Sequence, residues 1–133
     1  MSKRVSYHIP TLLHDNPIPN VTRKGNVITS SGIFGFYPEE GKKGKGHRFP
    51  DTIQEESTLL LQNMKTTVET AGGTVDDIID VKVFMGDKKN KEVLNGPWKS
   101  MFPDEHSEPT RGTTEEKLSY GNIRCQFIAV VDD

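Results

Sequence analysis

One long amphipathic period, from Asp51 to Thr74, sets the frame for the rest of the chain. Asp51-Thr52-Ile53-Gln54-Glu55 opens it, with Thr52 and Glu55 at the spacing of a helix capping box. Ile53, Leu60, Met64, Val68 and Ala71 recur at helical spacing, with Ser57 and Leu61 filling the stripe. Gly72-Gly73 closes it, because glycine accepts the left-handed conformation that ends a helix. A helix with a single apolar stripe has to lie against another layer, and the β-branched runs on either side of it supply a sheet.

Ahead of the helix, Val5 to Pro19 mixes three prolines with scattered apolar residues, which predicts a short edge strand followed by a loop. Asn20-Val21-Thr22-Arg23 and Asn26 to Gly32 then flank Lys24-Gly25, a turn signal between two β-branched runs. The second of these runs is expected to continue as strand through Ile33-Phe34-Gly35-Phe36. Tyr37 to Pro50, rich in Gly, Lys and Pro, reads as an exposed loop. Beyond the helix, Ile78 to Met85 alternates from Ile79 onward and predicts a strand.

A second helix is expected over Lys91 to Phe102, with Val93, Leu94, Trp98, Met101 and Phe102 facing inward. Gly96-Pro97 conflicts with it, because an interior proline costs about 3 kcal/mol. The helix therefore either starts late, with Pro97 in its first turn, or is kinked. Final strands are expected at Arg111 to Leu118 and Ile123 to Val131, on either side of a Tyr120-Gly121-Asn122 turn. The order β-β-β-α-β-α-β-β describes an α+β chain, two helices on one mixed sheet, with residues 1–133 forming a single domain.

The formal charge of -2 gives no global electrostatic reason for a nucleic-acid or anionic-membrane partner. No run approaches the about 18 apolar residues of a membrane span, and the first residues lack the apolar core of a signal peptide. A cytoplasmic domain is expected, with an organellar site left open. One cysteine, Cys125, leaves no internal disulfide and reads as a buried, inert thiol within an apolar strand. His8, His14, His47 and His106 are scattered without ligand spacing, so no metal site is expected. Lys42 to Arg48 is basic but lacks the ending and context of a phosphate loop, and reads as a solvated loop.

Two arginines carry the chemistry. Arg111 stands where the proline-marked segment Glu108-Pro109-Thr110 becomes a strand, and a fixed guanidinium fork is a good carboxylate clamp. Strand parity puts Thr113 on the same face as Arg111. Arg124 lies on the less apolar face of the last strand. It either contacts a ligand or pairs with Glu115, Glu116 or a neighbouring subunit. Ser31 is open to a backbone bond as well as a site role, and Asn95 to capping a late helix at Pro97.

The chain resembles the Rid/YjgF family, the reactive-intermediate deaminases, over nearly its whole length. The resemblance rests on Gly25 to Gly32, Asn63-Met64-Lys65, Glu69 to Thr74, Asp76 to Phe84, Asn95, Pro109-Thr110-Arg111 and Ile128-Ala129-Val130, in that order and spacing. It implies a chorismate-mutase-like fold and a homotrimer with ligand pockets between subunits. It also implies cofactor-independent hydrolysis of 2-imino acids to 2-keto acids and ammonia. Arg111 would hold the substrate carboxylate, with Ser31, Gly32, Asn95 and Thr113 at other pocket positions. Two residues depart from the active pattern: Ile18 replaces a pocket tyrosine, and Arg124 replaces the glutamate that orients the attacking water. A guanidinium has no acceptor lone pair and cannot be a general base. The resemblance therefore leaves three expectations: a deaminase, a non-catalytic binder of carboxylate metabolites, and an RNA-directed role that the chain's composition disfavours.

Overall fold

A computed structural model describes residues 3–132. Seven strands form one mixed sheet: β1 (Val5–Tyr7), β2 (Val21–Lys24), β3 (Val27–Ser30), β4 (Ile33–Phe34), β5 (Ile78–Met85), β6 (Thr110–Glu115) and β7 (Ile123–Val130). The spatial order is β1-β2-β3-β7-β5-β6, with β4 also paired to β7. Every pairing is antiparallel except β5 with β6, which the crossover through the second helix makes parallel. The last two strands are thus not hairpin partners, since β5 lies between them.

The long helix, α1 (Ile53–Thr70), forms as its caps require. Thr52 Oγ1 accepts the Glu55 backbone N–H at 3.2 Å, and Gly72 takes a positive φ of 90° just beyond the last turn. Its stripe of Ser57, Leu60, Leu61, Met64 and Val68 is buried against Val81, Val83, Ile123, Cys125 and Phe127 on one face of the sheet. The second helix takes the late start, the first of the two alternatives expected for it, and is shorter than the span from Lys91 to Phe102. Lys88–Leu94 winds as 3₁₀-helix, and the α-helix α2 (Asn95–Met101) starts late, which leaves Pro97 in the first turn, where its missing N–H costs nothing. Leu94, Trp98 and Phe102 are buried; Val93 and Met101 are only half so.

The strand expected to run from Asn26 to Phe36 is broken at Ser31-Gly32. Thr29 pairs with Ile128 and Ile33 with Cys125, so four steps along one strand oppose three along β7. The extra residue is a bulge, which re-aims the side chains that follow. Gly35 and Phe36 lie beyond the strand, where the side-chain amide of buried Asn63 donates to the carbonyls of Phe34 and Phe36 at 2.8 and 2.9 Å. The strand expected to reach Leu118 ends at Glu115, and the last strand at Val130 rather than Val131. The loop from Tyr37 to Pro50 is also less free than expected. His47 is buried, stacked on Phe36 at 3.7 Å between centroids, while Lys42, Lys43 and Lys45 stay in solvent.

Opposite α1, Ile9, Leu12 and Tyr120 pack about Phe34 at one end of the sheet's second face, while the part formed by β3 and the far end of β7 is left uncovered among the described residues. Val27, Ile128 and Val130 stand on it, 46%, 41% and 39% exposed, although they belong to adjacent strands.

Candidate functional site

The expected site residues divide between the two faces of the sheet. Arg111 pairs with Val81 and Thr113 with Val83, both buried on the helix side, so the shared face expected from strand parity is present. At the edge strand β6 the helix layer ends, and Arg111 reaches the start of α2 instead of the core. Its Nη2 donates to Asn95 Oδ1 at 2.7 Å, and its guanidinium lies 5.0 Å from the centre of the Trp98 ring. Trp98 Nε1 in turn donates to Glu108 Oε1 at 3.3 Å. Burial lowers the Arg111 pKa from its ordinary value, against the opposing pull of Glu108. Asn95, Trp98, Lys99, Glu108 and Arg111 line one hollow here. Thr113 does not line it.

The Asn95 side chain therefore does not cap the start of α2. Asn95 is the first residue of α2, preceded by Leu94 in helical conformation, and its carboxamide is turned to the arginine. A late helix start and a polar side chain do indicate capping in sequence; only the parallel placement of β6 beside α2 reveals the other use.

Arg124 sits on the opposite face. It lies between two aromatic cross-strand partners, Phe34 on β4 and Phe84 on β5. Its guanidinium stacks 4.4 Å from the Phe84 ring centre, and Nη2 donates to Glu116 Oε2 at 2.8 Å. Of the partners weighed for it in sequence, Glu116 is the one it takes. Gly32 makes the room: a Cβ there would come within 2.8 Å of Arg124 Cδ. Ahead of this pair opens a cavity of about 420 Å³, lined among others by His14, Ile18, Gly32, Glu116, Tyr120 and Arg124. Ile18 is 41% exposed at its lip. Burial lowers the His14 pKa, with Asp15 opposing and His8 adding to the shift. Burial likewise raises that of Tyr120, whose ring lies 4.5 Å from that of Phe34.

Ser31 lines neither hollow. Its hydroxyl donates to the Pro19 carbonyl at 2.8 Å, and its N–H donates to the Asn20 carbonyl at 3.0 Å, fastening the loop beside the bulge. Tyr120 and His14 are cavity residues that sequence reasoning did not single out, and it offered Glu116 only as a partner for Arg124. Their signal is tertiary, since the cavity joins His14 to the distant segment from Glu116 to Tyr120. Among the described residues, no three His, Cys, Asp or Glu side chains gather as metal ligands, and no helix is long and apolar enough to cross a membrane.

Comparison with known proteins supplies the family. The model described as Endoribonuclease L-PSP matches residues 16–118. This chain belongs to the Rid/YjgF family. TdcF of Escherichia coli, named as a candidate reactive intermediate deaminase, is 32% identical to it over 108 residues, 80% of this chain and 78% of TdcF. The 2-iminobutanoate/2-iminopropanoate deaminase of the same organism is 28% identical over 107 residues, 80% and 79% of the two chains. Among solved structures, the YjgF gene product of Escherichia coli superimposes with a TM-score of 0.79 at 25% identity, over 95% of this chain and 98% of that one. A Thermotoga maritima structure reaches 0.83 at 23% identity, over 97% and 98%, which adds to the case for the fold. The Rid-family fold thus accounts for the mixed sheet and its two helices. The split of the two arginines between faces is a property of this chain's own geometry.

Proposed function

We propose that this Rid-family chain is a cofactor-independent enamine/imine deaminase that hydrolyses 2-imino acids to 2-keto acids and ammonia. The observation that carries the reading is Arg111, fixed at a strand entrance by Asn95 and laid over Trp98. A guanidinium held from behind keeps outward N–H groups for a carboxylate, so little rotamer entropy remains to be lost on binding. The deaminase named among the relatives acts on substrates with such a carboxylate next to the imine.

A single copy leaves Arg111 and the cavity before Arg124 on opposite sides of its sheet. A homotrimer in which the uncovered face of one subunit meets the next would bring an Arg111 to a neighbour's cavity. The exposed Val27, Ile128 and Val130 give that face an apolar reason to be covered. The same argument supports the second reading, a carboxylate-binding trimer without turnover, which Arg124 in the water-activating position favours.

The experiment is a paired measurement on the purified protein. Imino acids are generated in situ by an amino-acid oxidase, with semicarbazide competing for the imine, and 2-ketobutyrate binding is followed by calorimetry. A deaminase lowers semicarbazone formation, and Arg111→Ala abolishes the effect while weakening keto-acid binding by about 10–100-fold. Binding without acceleration for any of several imino acids supports the second reading and overturns the first.

A further inference from the structure

Hydrolysis of an imine needs an acceptor for the proton of the attacking water, and Arg124 cannot be it. We propose that Glu116 is the catalytic carboxylate of this reaction and that Arg124 is the positioning residue that holds it at the cavity, an inference that rests on the deaminase reading above.

The arrangement of the pair assigns the roles. Arg124 is the fixed partner: its side chain is 29% exposed, stacked on Phe84, with Cδ against Gly32 and Nε shut away from solvent. Glu116 is the open partner, 47% exposed and lining the cavity. Its backbone is pinned by the hydrogen bond from Glu116 N–H to the Met85 carbonyl at 2.9 Å, just beyond the end of β6. One carboxylate oxygen, Oε2, is taken by Arg124, and Oε1 accepts no hydrogen bond from another described residue. The carboxylate is thus held at one oxygen and available at the other. Glu116 stands just beyond β6, two places across the sheet from Arg124 on β7, and the arginine holds it at the rim of the cavity. Other charged or titratable groups facing this space are His14, Asp15, Lys117 and Tyr120.

The step balances without a cofactor. Water attacks the iminium carbon, a C–O bond forms, the C=N π pair goes to nitrogen, and Glu116 takes the proton released from the water. Glu116 then returns that proton to the amine of the carbinolamine. The C–N bond breaks with its electron pair on nitrogen, the hydroxyl oxygen forms the ketone, and its proton leaves with ammonia as ammonium. One iminium and one water give one 2-keto acid and one ammonium.

The test compares wild type with Glu116→Gln in the imino-acid assay, with 2-ketobutyrate affinity measured beside it. Expected is a fall in kcat of about 100-fold or more, with ligand affinity kept within about three-fold, since Arg111 is untouched. The acid limb of the kcat–pH profile should vanish with the carboxylate, and formate should partly restore the rate of Glu116→Ala. Arg124→Met, which leaves Glu116 in place but unheld, should lose less than Glu116→Gln does. Wild-type kcat in a folded Glu116→Gln overturns the assignment and leaves the deaminase reading standing. Absence of turnover in the wild type overturns both. Should the glutamine variant fail to fold, Glu116→Asp keeps the charge but withdraws it by one methylene; a several-fold lower kcat with the acid limb intact supports the role, and an unchanged kcat overturns it.

Discussion

Glu56 of α1 holds Asn122 twice: its carboxylate accepts the Asn122 backbone N–H and the Asn122 side-chain amide, each at 2.7 Å. A third bond comes from the Ile123 N–H at 3.2 Å, and the glutamate is 1% exposed. The segment that walls the cavity, Glu116 to Tyr120, is thereby moored at its far end to the long helix. Gly121 lets the backbone close on this carboxylate, with a φ of 71° that other residues rarely adopt.

Glu56→Ala should accordingly destabilise the protein by about 3 kcal/mol, because three donors are left without a partner in a dry site. Glu56→Gln should cost less, since one acceptor oxygen survives. Urea unfolding at constant slope measures both. A change below about 1 kcal/mol for the alanine variant would show that the backbone finds other acceptors.

Asn95→Ala should weaken keto-acid binding by about 5–10-fold through loss of the strut behind Arg111. Stability should change by under about 1 kcal/mol, because the contact is exposed. Asn95→Asp should bind more weakly still, because its own carboxylate competes with the ligand for the guanidinium. Calorimetric titration with 2-ketobutyrate distinguishes the three proteins.

His14 makes stability depend on pH. Burial holds its folded pKa below the ordinary 6.5, so the unfolded chain takes up the proton first. Stability should then fall as pH is lowered from about 6.5 toward the folded value, and its contribution is fully present above that window. His14→Gln should flatten the profile there. Denaturant midpoints collected between pH 5 and 8 with the variant alongside measure the difference; identical slopes would assign the dependence to other groups.

How far such features can be read from sequence depends on whether their cause is local. Helix α1 is legible because its period, the Thr52 cap and Gly72 all lie within one segment and agree. The Arg111–Thr113 face follows from strand parity alone. The break at Ser31-Gly32 is not legible, because a bulge is defined by the residues opposite, here Cys125 to Ile128. Asn95 reads as a cap because its partner, Arg111, lies sixteen residues away. Glu56 resembles any acidic residue in a helix's first turn, a common place for one that merely suits the dipole, and its role depends on Asn122, sixty-six residues later.

Cys125 should be silent toward thiol reagents in the native protein. It is buried completely and its pKa is pushed up to about 12, so at pH 8 almost no thiolate is present and no reagent reaches it. Labelling with Ellman's reagent should be negligible over hours natively and stoichiometric in denaturant. Fast native labelling would mean that β7 opens far more readily than its central place in the sheet allows.

Arg111 and Glu116 look out from opposite sides of one sheet, and this has a consequence for defective proteins. If one pocket takes its arginine from one subunit and its carboxylate from the next, an Arg111→Ala chain and a Glu116→Gln chain each spoil every pocket they form alone. Unfolded together and reassembled in equal amounts, they should form pockets at random, and about one in four would receive the intact arginine from one chain and the intact carboxylate from the other. Two inactive preparations would complement each other in the same tube.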